Sequence, residues 1–249
     1  SIRWPIKLVV QLIVSFIIIF RFFEMIESVS FFNRTLNFST IGLIAVFLIW
    51  FVGILNAVNL IDGMDGLAGG FMVLITVFAV IIGIFNEANF FLILNASLLG
   101  GLTGFLFFNR RPARYFMGDS GSLLLGYHVA CLPLLYHQAM NGGAILQITP
   151  FLILSSFLIM DTTRVFFSRA LRRQNPMNAD TIHLHHLVLK ETKSYVGTLI
   201  PIFVVTLITG IGAVLFFHYG FGFLAMQLFI LILVVFVITP PVPFYVPLA

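Results

Sequence analysis

Residues 67–85 read LAGGFMVLITVFAVIIGIF, an apolar stretch that contains no charged side chain. A helix needs about 20 apolar residues to cross the hydrocarbon core of a bilayer, and this stretch reaches that length. Lipid-facing strands of a barrel would instead alternate apolar with polar residues. The stretch therefore predicts a membrane-spanning helix and argues against a β-barrel.

Similar stretches occur along the whole chain, whose 249 residues are 60% hydrophobic and 9% charged, with a mean hydropathy of +1.11. We predict a single-domain, all-α, polytopic transmembrane bundle over residues 1–249. Between Glu24 and Thr40 we expect turns at Asn33-Arg34-Thr35 and Asn37-Phe38-Ser39. The eight predicted spans cover roughly residues 5–23, 41–58, 67–85, 90–108, 121–138, 145–160, 197–217 and 222–240.

The distribution of Lys and Arg predicts the orientation, because cytoplasmic loops carry an excess of both. A cytoplasmic N-terminus leaves only Arg21 and Arg34 outside, and it brings the polar loops 59–66, 109–120 and 161–196 to the cytoplasmic face of a bacterial inner membrane. Residues 164–173 should extend the sixth helix beyond the bilayer, with arginines at the lipid surface. The net charge of +4 is spread over these loops, which favours anionic lipids and phosphorylated substrates over nucleic acid.

Asp62 and Asp65 lie in the sequence Asp62-Gly63-Met64-Asp65-Gly66, and they mark a candidate site because a carboxylate in a lipid environment is costly unless it is paired or hydrated. Because Asp62 and Asp65 are three positions apart, either a helical turn or a tight loop can direct both carboxylates into one cavity. Gly63 and Gly66 would permit positive φ and close approach of a ligand. The alternative is an ordinary loop whose aspartates cap the next helix.

Residues 116–122, FMGDSGS, open the fifth predicted span. One interpretation is that Asp119 or Ser120 simply caps this helix. The other is that the helix N-terminus binds a phosphate while Asp119 holds the magnesium ion that the phosphate carries. The residues alone leave both interpretations open.

His183, His185 and His186 form a third cluster, preceded by Asp180. Zinc binding is one option. The nearest candidate partners are aspartates and not cysteines, which favours magnesium at the carboxylates and phosphate contacts for the imidazoles. Three other histidines stand alone and are interpreted as structural, and the single cysteine as a packing residue. These are His128, His137, His218 and Cys131.

In this order, the three clusters resemble the motifs of the polyprenyl-phosphate N-acetylhexosamine-1-phosphate transferase family. Asn56 to Gly70 is similar to its nucleotide-sugar motif, Asn109 to Gly126 to its Met-Gly-Asp-x-Gly-Ser motif, and His183 to His186 to its His-x-His-His motif. The resemblance implies transfer of N-acetylhexosamine 1-phosphate, first of all N-acetylglucosamine 1-phosphate, from a UDP-sugar to undecaprenyl phosphate with release of UMP. It also implies Mg²⁺, with Mn²⁺ as an alternative, and it allows a homodimer. The His-x-His-His form is more similar to enzymes that initiate teichoic acid or the O-antigen of lipopolysaccharide than to the pentapeptide transferase of cell wall synthesis.

The same resemblance implies a role for each motif residue. Asp119 would be a magnesium ligand and Asn59 a second one, while Asp62 would order the site. Asp65, Gly63 and Met64 would face the uridine, and Asn109 and Phe116 would hold the uracil. The imidazoles would contact the diphosphate or the sugar. The expected catalytic set is Asp62, Asp65, Asp119, His183, His185 and His186.

One departure from the family pattern is the missing Asp-Asp motif, and Ser1 to Lys7 is similar to the segment that follows that motif. We therefore expect a C-terminal portion of a parent with about eleven spans, inactive by itself. Two alternatives are a non-catalytic nucleotide-sugar-binding relative and a lipid flippase or transporter. A transporter would line its pathway with polar residues near the midplane, where this chain has almost no ionisable group. Direct attack by the lipid phosphate and a covalent aspartyl intermediate both stay open.

Overall fold

The computed structural model describes residues 4–23, 26–171 and 183–220. Over these ranges the chain forms nine α-helices and three short β-strands. The helices are α1 Trp4–Phe23, α2 Thr40–Ile61, α3 Leu67–Phe85, α4 Asn89–Asn109, α5 Gly118–Ala139, α6 Thr149–Leu154, α7 Ser156–Leu171, α8 Leu184–Thr192 and α9 Tyr195–Tyr219. The strands are β1 Ser28–Phe31, β2 Arg34–Asn37 and β3 Ile145–Gln147.

Five of the helices, α1, α2, α3, α4 and α9, are long and apolar enough to cross a membrane. The prediction of a polytopic helical membrane protein is confirmed, and the predicted span 67–85 coincides with α3. Helix α5 covers the predicted span 121–138 but is less apolar, because its first turn consists of Gly, Asp and Ser residues. The predicted span 222–240 lies outside the described residues.

The prediction of one continuous span over residues 145–160 is wrong. Strand β3 occupies Ile145–Gln147, α6 follows, and the chain bends at Ser155 before α7 begins. Adjacent serines are a common cause of such helix bends, and Ser155 and Ser156 lie at this one. Helix α7 then continues to Leu171, which agrees with the predicted extension of the sixth helix.

A small sheet, with strand order β2-β1-β3, adds to the all-α architecture. Its β1–β2 hairpin turns at Phe32 and Asn33, whose φ angles are 46° and 61°, as two-residue hairpin turns require. The turn expected at 33–35 is therefore misplaced, because Arg34 and Thr35 already belong to β2. Strand β3 pairs with β1 in parallel from more than 100 residues away, so local sequence could not show it.

The helices connect two polar ends of the bundle. We call the strands with the turns beside them, residues 26–39 and 140–148, the sheet end. The opposite ends of the helices carry the loops 62–66 and 110–117 together with the start of α8, and we call these the motif end. Between them, α2 packs on α1, α5 and α7, and α3 packs on α4 and α9. Gly126 lets α5 approach α2 closely, since a Cβ there would lie 2.8 Å from Leu55 Cα.

Candidate functional site

The turn from Asp62 to Gly66 connects α2 to α3. Gly66 is the N-cap of α3 with a φ of 69°, and no side chain caps the helix. Neither Asp62 nor Asp65 therefore caps α3, which was the alternative interpretation of these two aspartates. Asp65 instead ties the turn to its surroundings: its Oδ2 accepts a hydrogen bond from Ala113 N at 3.1 Å, and its backbone carbonyl accepts one from the Tyr195 hydroxyl.

The carboxylate of Asp119 is shared by two neighbouring helices. Asn59 Nδ2, near the end of α2, donates to Asp119 Oδ1 at 3.2 Å and to Ser122 Oγ at 2.8 Å. Lys7 Nζ, on α1, donates to Asp119 Oδ2 at 2.5 Å. These hydrogen bonds, from Lys7 first and then Asn59, lower the pKa of Asp119. Because the N-cap of α5 is Met117 with no side-chain cap bond, the capping interpretation of Asp119 and Ser120 does not describe this structure.

Asp62 faces the same cluster. Partial burial, and then the negative charge of Asp119, raise the pKa of Asp62. A carboxylate whose charged form is destabilised by burial and by a second carboxylate is a common feature of functional sites. A bound cation would relieve this repulsion.

The histidine cluster lies against the first motif. His183 is the N-cap residue of α8, and the rings of His183 and His185 lie nearly parallel, with centroids 6.1 Å apart. A Cβ atom on Gly63 would lie only 2.6 Å from His185 Nε2, so glycine is what permits this approach. Desolvation lowers the pKa of His185 to about 4, which leaves the ring neutral at pH 7.

Two ring nitrogens of this cluster are buried without a hydrogen bond among the described residues, namely Nε2 of His183 and Nε2 of His185. The two side chains are 3% and 1% exposed. Buried polar atoms normally have a hydrogen-bond partner, so an atom without one needs a physical explanation. A ligand that supplies hydrogen-bonding oxygens is one such explanation.

Asn109 and Phe116, the two residues predicted to hold the uracil, lie in different environments. Asn109 is buried, and its amide is used internally: Oδ1 accepts from Gly66 N at 3.0 Å and Nδ2 donates to Tyr115 O at 2.8 Å. Phe116 is 76% exposed on the loop 110–117. In this structure Asn109 therefore holds two motif loops together, and uracil contact by either residue stays a prediction.

Sequence reasoning missed several residues that the structure places in or beside the site. Lys7 and Ser122 contact the Asp119 cluster, and Tyr195 binds the Asp65 turn. Asp161 belongs to none of the three sequence clusters, yet it binds His183. An ionisable side chain directly after an apolar stretch was the available signal for Asp161.

The expected placement of arginines at the lipid surface is wrong for Arg169, which is 4% exposed.

The donor atoms that meet at Asp119 are of the kind that magnesium takes, and a bound magnesium ion stays a prediction. In residues 4–23, 26–171 and 183–220, no group of three or more His, Cys, Asp or Glu side chains could hold a metal ion. Structural and catalytic zinc sites require three or four such protein ligands. Magnesium commonly binds through one or two carboxylates together with substrate phosphates and water, and Asp119 supplies a carboxylate of this kind. Asn59 uses its amide nitrogen for Asp119 and Ser122, which leaves its carbonyl oxygen for a cation.

Fold and site together define a class: a multi-span membrane protein in which the carboxylates, amides and imidazoles of three separate motifs meet at one end of its helices. The family model described as glycosyl transferase family 4 matches residues 1–137, and the chain belongs to this family. The match includes the first two motifs and ends before the histidine cluster.

Individual relatives agree with this family. The chain is 34% identical over 171 residues to a probable undecaprenyl-phosphate N-acetylglucosaminyl 1-phosphate transferase of Bacillus subtilis, covering 67% of this chain and 46% of the relative. It is 37% identical over 142 residues to a phospho-N-acetylmuramoyl-pentapeptide-transferase of Listeria welshimeri, covering 57% of this chain and 42% of the relative. The chain thus spans less than half the length of these relatives.

Proposed function

We propose that this protein transfers a sugar 1-phosphate from a nucleotide sugar to a polyprenyl phosphate. In its finer form, the donor is a UDP-N-acetylhexosamine, first of all UDP-N-acetylglucosamine, the acceptor is undecaprenyl phosphate, and UMP is released. The observation that carries the proposal is the contact between motifs far apart in sequence: Asn59 binds Asp119, and Gly63 packs against His185. The names of the relatives support the same chemistry.

In the proposed reaction, a phosphate oxygen of the lipid attacks the β-phosphorus of the UDP-sugar. The bond from that phosphorus to the bridging oxygen breaks, and UMP leaves with the electron pair. Asp119 and Asn59 would hold the magnesium ion, which when bound offsets charge on the diphosphate. Lys7, whose Nζ contacts Asp119 Oδ2, would pair with a phosphate oxygen once a cation occupies that carboxylate. Asp65, Gly63 and Met64 are proposed to face the uridine.

The location of the motif end suits two such different substrates. The lipid acceptor must keep its tail among the helices or in lipid while its phosphate reaches water, and the nucleotide sugar arrives from water. We place this end at the cytoplasmic face of a bacterial inner membrane. There the lipid-linked diphosphate sugar would start a cell-envelope polysaccharide such as teichoic acid or the O-antigen of lipopolysaccharide.

Cysteine labelling in intact cells tests this orientation. The only native cysteine, Cys131, is buried, and Cys131→Ser supplies a background for single cysteines at exposed positions. Arg111→Cys and Lys193→Cys at the motif end should resist a membrane-impermeant maleimide, whereas Thr35→Cys in β2 should react. Labelling of Arg111→Cys from outside would contradict the proposed orientation.

Turnover is tested with the complete natural protein in lipid nanodiscs. Undecaprenyl phosphate and Mg²⁺ are supplied with UDP-N-acetylglucosamine, UDP-N-acetylgalactosamine, UDP-glucose or UDP-N-acetylmuramoyl-pentapeptide, and UMP and lipid product are quantified. We expect product with a UDP-N-acetylhexosamine and none without Mg²⁺. Binding of the UDP-sugar without UMP release would instead identify a non-catalytic relative. Exchange of labelled UMP without the lipid acceptor would indicate a covalent intermediate.

A further inference from the structure

Asp161 lies outside all three sequence motifs, yet among the described carboxylates of the motif end it makes the most hydrogen bonds. It stands in α7 and is 8% exposed. Its Oδ2 lies 2.8 Å from His183 Nδ1, and its Oδ1 accepts hydrogen bonds from Leu184 N at 2.9 Å and from Arg164 Nη2 at 3.0 Å. One side chain therefore contacts both the first turn of α8 and the ring of the first histidine.

We propose that Asp161 is a positioning residue of the transfer reaction: it keeps the proton of His183 on Nδ1, so that Nε2 can take up a second proton and donate it in a hydrogen bond to a diphosphate oxygen. The assignment of the proton follows from the partners. An ionised carboxylate can only accept hydrogen bonds, so the nitrogen that faces it must be the donor. The remaining ring nitrogen, Nε2, is buried and makes no hydrogen bond within the described part of the chain.

The charge state of Asp161 agrees with this geometry. Burial opposes the ionised form, but the hydrogen bond from His183 and the charges of His183 and Arg164 outweigh burial and lower the pKa of Asp161. A carboxylate behind an imidazole also stabilises the ring's positive charge when Nε2 carries a proton toward an anion. The same device orients histidines in metal and triad sites.

The competing interpretation is that Asp161 only caps α8. Its Oδ1 accepts a hydrogen bond from Leu184 N, the first backbone donor of that helix. The substitution Asp161→Asn separates the two roles. An asparagine oxygen can still accept from Leu184 N, but the amide group beside His183 would donate to Nδ1 and so drive the proton to Nε2. The cap would survive while the tautomer of His183 would change.

The tautomer can be measured without any catalytic assay. In the complete natural protein with ¹⁵N-labelled histidine, the His183 ring signals are assigned by their loss in His183→Gln. We expect a protonated Nδ1 in the parent at neutral pH and a protonated Nε2 with a deprotonated Nδ1 in Asp161→Asn. A deprotonated Nδ1 in the parent would overturn the proposal, even if Asp161→Asn does not fold.

Kinetics then test the consequence for the reaction, which rests on the proposed function. Asp161→Asn should lower kcat by about 10- to 100-fold while KM for the nucleotide sugar and the thermal midpoint stay near the parent values. In His183→Gln, adding Asp161→Asn should cause little further loss, because the two residues act as a unit. Glu87→Gln at the far end of α3 is the control. An unchanged kcat in Asp161→Asn, or fully additive losses, would leave Asp161 a helix cap.

The two failures are distinguishable. If the parent protein transfers no sugar phosphate from any UDP-sugar, the proposed function fails while the NMR result still decides how Asp161 holds His183. If the parent is active and Asp161→Asn is equally active, the positioning role fails while the proposed function stands.

Discussion

The sheet end and the motif end of the bundle both carry polar residues, but these residues differ in how far their hydrogen bonds and charges are satisfied within the protein. At the sheet end, backbone N–H groups find acceptors: Glu27 N and Ser28 N both donate to Ala144 O, and Phe32 N donates to the side-chain Oγ1 of Thr149, at the start of α6, at 2.7 Å. At the motif end, the charge of Asp119 opposes ionisation of Asp62, and the Nε2 atoms of His183 and His185 are buried without a hydrogen bond among the residues described.

This difference separates stability from function. Paired polar groups contribute modestly to folding, whereas buried unpaired groups and like charges cost free energy that a ligand can recover. Substitutions at the sheet end should therefore change stability with little effect on turnover per folded molecule. At neutral pH, substitutions at the motif end should change turnover with little effect on stability, and the predictions below test that division.

The largest effect is expected for Asp119→Asn in the complete natural protein. Asparagine can still accept from Lys7, but it loses the charge that a magnesium ligand needs. We expect turnover to fall on the order of a hundredfold or more, with the thermal midpoint near the parent value. UMP release at saturating substrate and varied Mg²⁺ measures this. Glu87→Gln is the matched control, and near-parental turnover with unchanged magnesium dependence would remove Asp119 from the metal site.

The second prediction concerns pH. The pKa of His185 is about 4 in the folded protein, compared with about 6.5 in an unfolded chain, so the unfolded state binds the proton first as pH falls. The contribution of His185 to the free energy of unfolding is fully present above about pH 6.5. It declines as the pH falls toward 4, by about 3 kcal/mol in total. Unfolding free energies over this range should decline less steeply in His185→Gln. Equal slopes in both proteins would show that His185 is not buried as a neutral ring.

Gly63→Ala should lower turnover about tenfold, because a Cβ placed 2.6 Å from His185 Nε2 must displace the ring or the loop. Gly53→Ala is the matched control, since no atom lies within 4 Å of the Cβ position at this residue of α2. Initial rates of both variants, normalised to folded protein, measure the effect. Equal rates would mean that the approach of the first motif to His185 is irrelevant to turnover.

The smallest effect is expected at the sheet end. Asn33 has a φ of 61°, which a β-branched residue adopts only at a cost, so Asn33→Val should lower the free energy of unfolding by about 1–2 kcal/mol. Turnover per folded molecule should not change. Thr35→Val, in the extended β2 strand, should be near neutral in both measurements. A large loss of turnover in folded Asn33→Val would break the division between the two ends.

The sequence by itself determined the spans and the residues that stand out from them. The span of α3 was predicted at its observed bounds, since apolar length is a local property that needs no knowledge of the rest of the chain. The aspartates and histidines of the three motifs stood out for the same reason, because a polar cluster within an apolar chain is visible locally. These residues could be named before their partners were known.

Only the tertiary structure decided how these parts meet. Lys7 reaches Asp119 across 112 positions, Tyr195 reaches Asp65 across 130, and Asp161 reaches His183 across 22. Residues 145–160 had the composition of a span, yet their first part pairs with β1 and the rest bends at Ser155. Such pairings depend on which surfaces the packed helices bring together, and that depends on contacts between distant segments rather than on any local pattern.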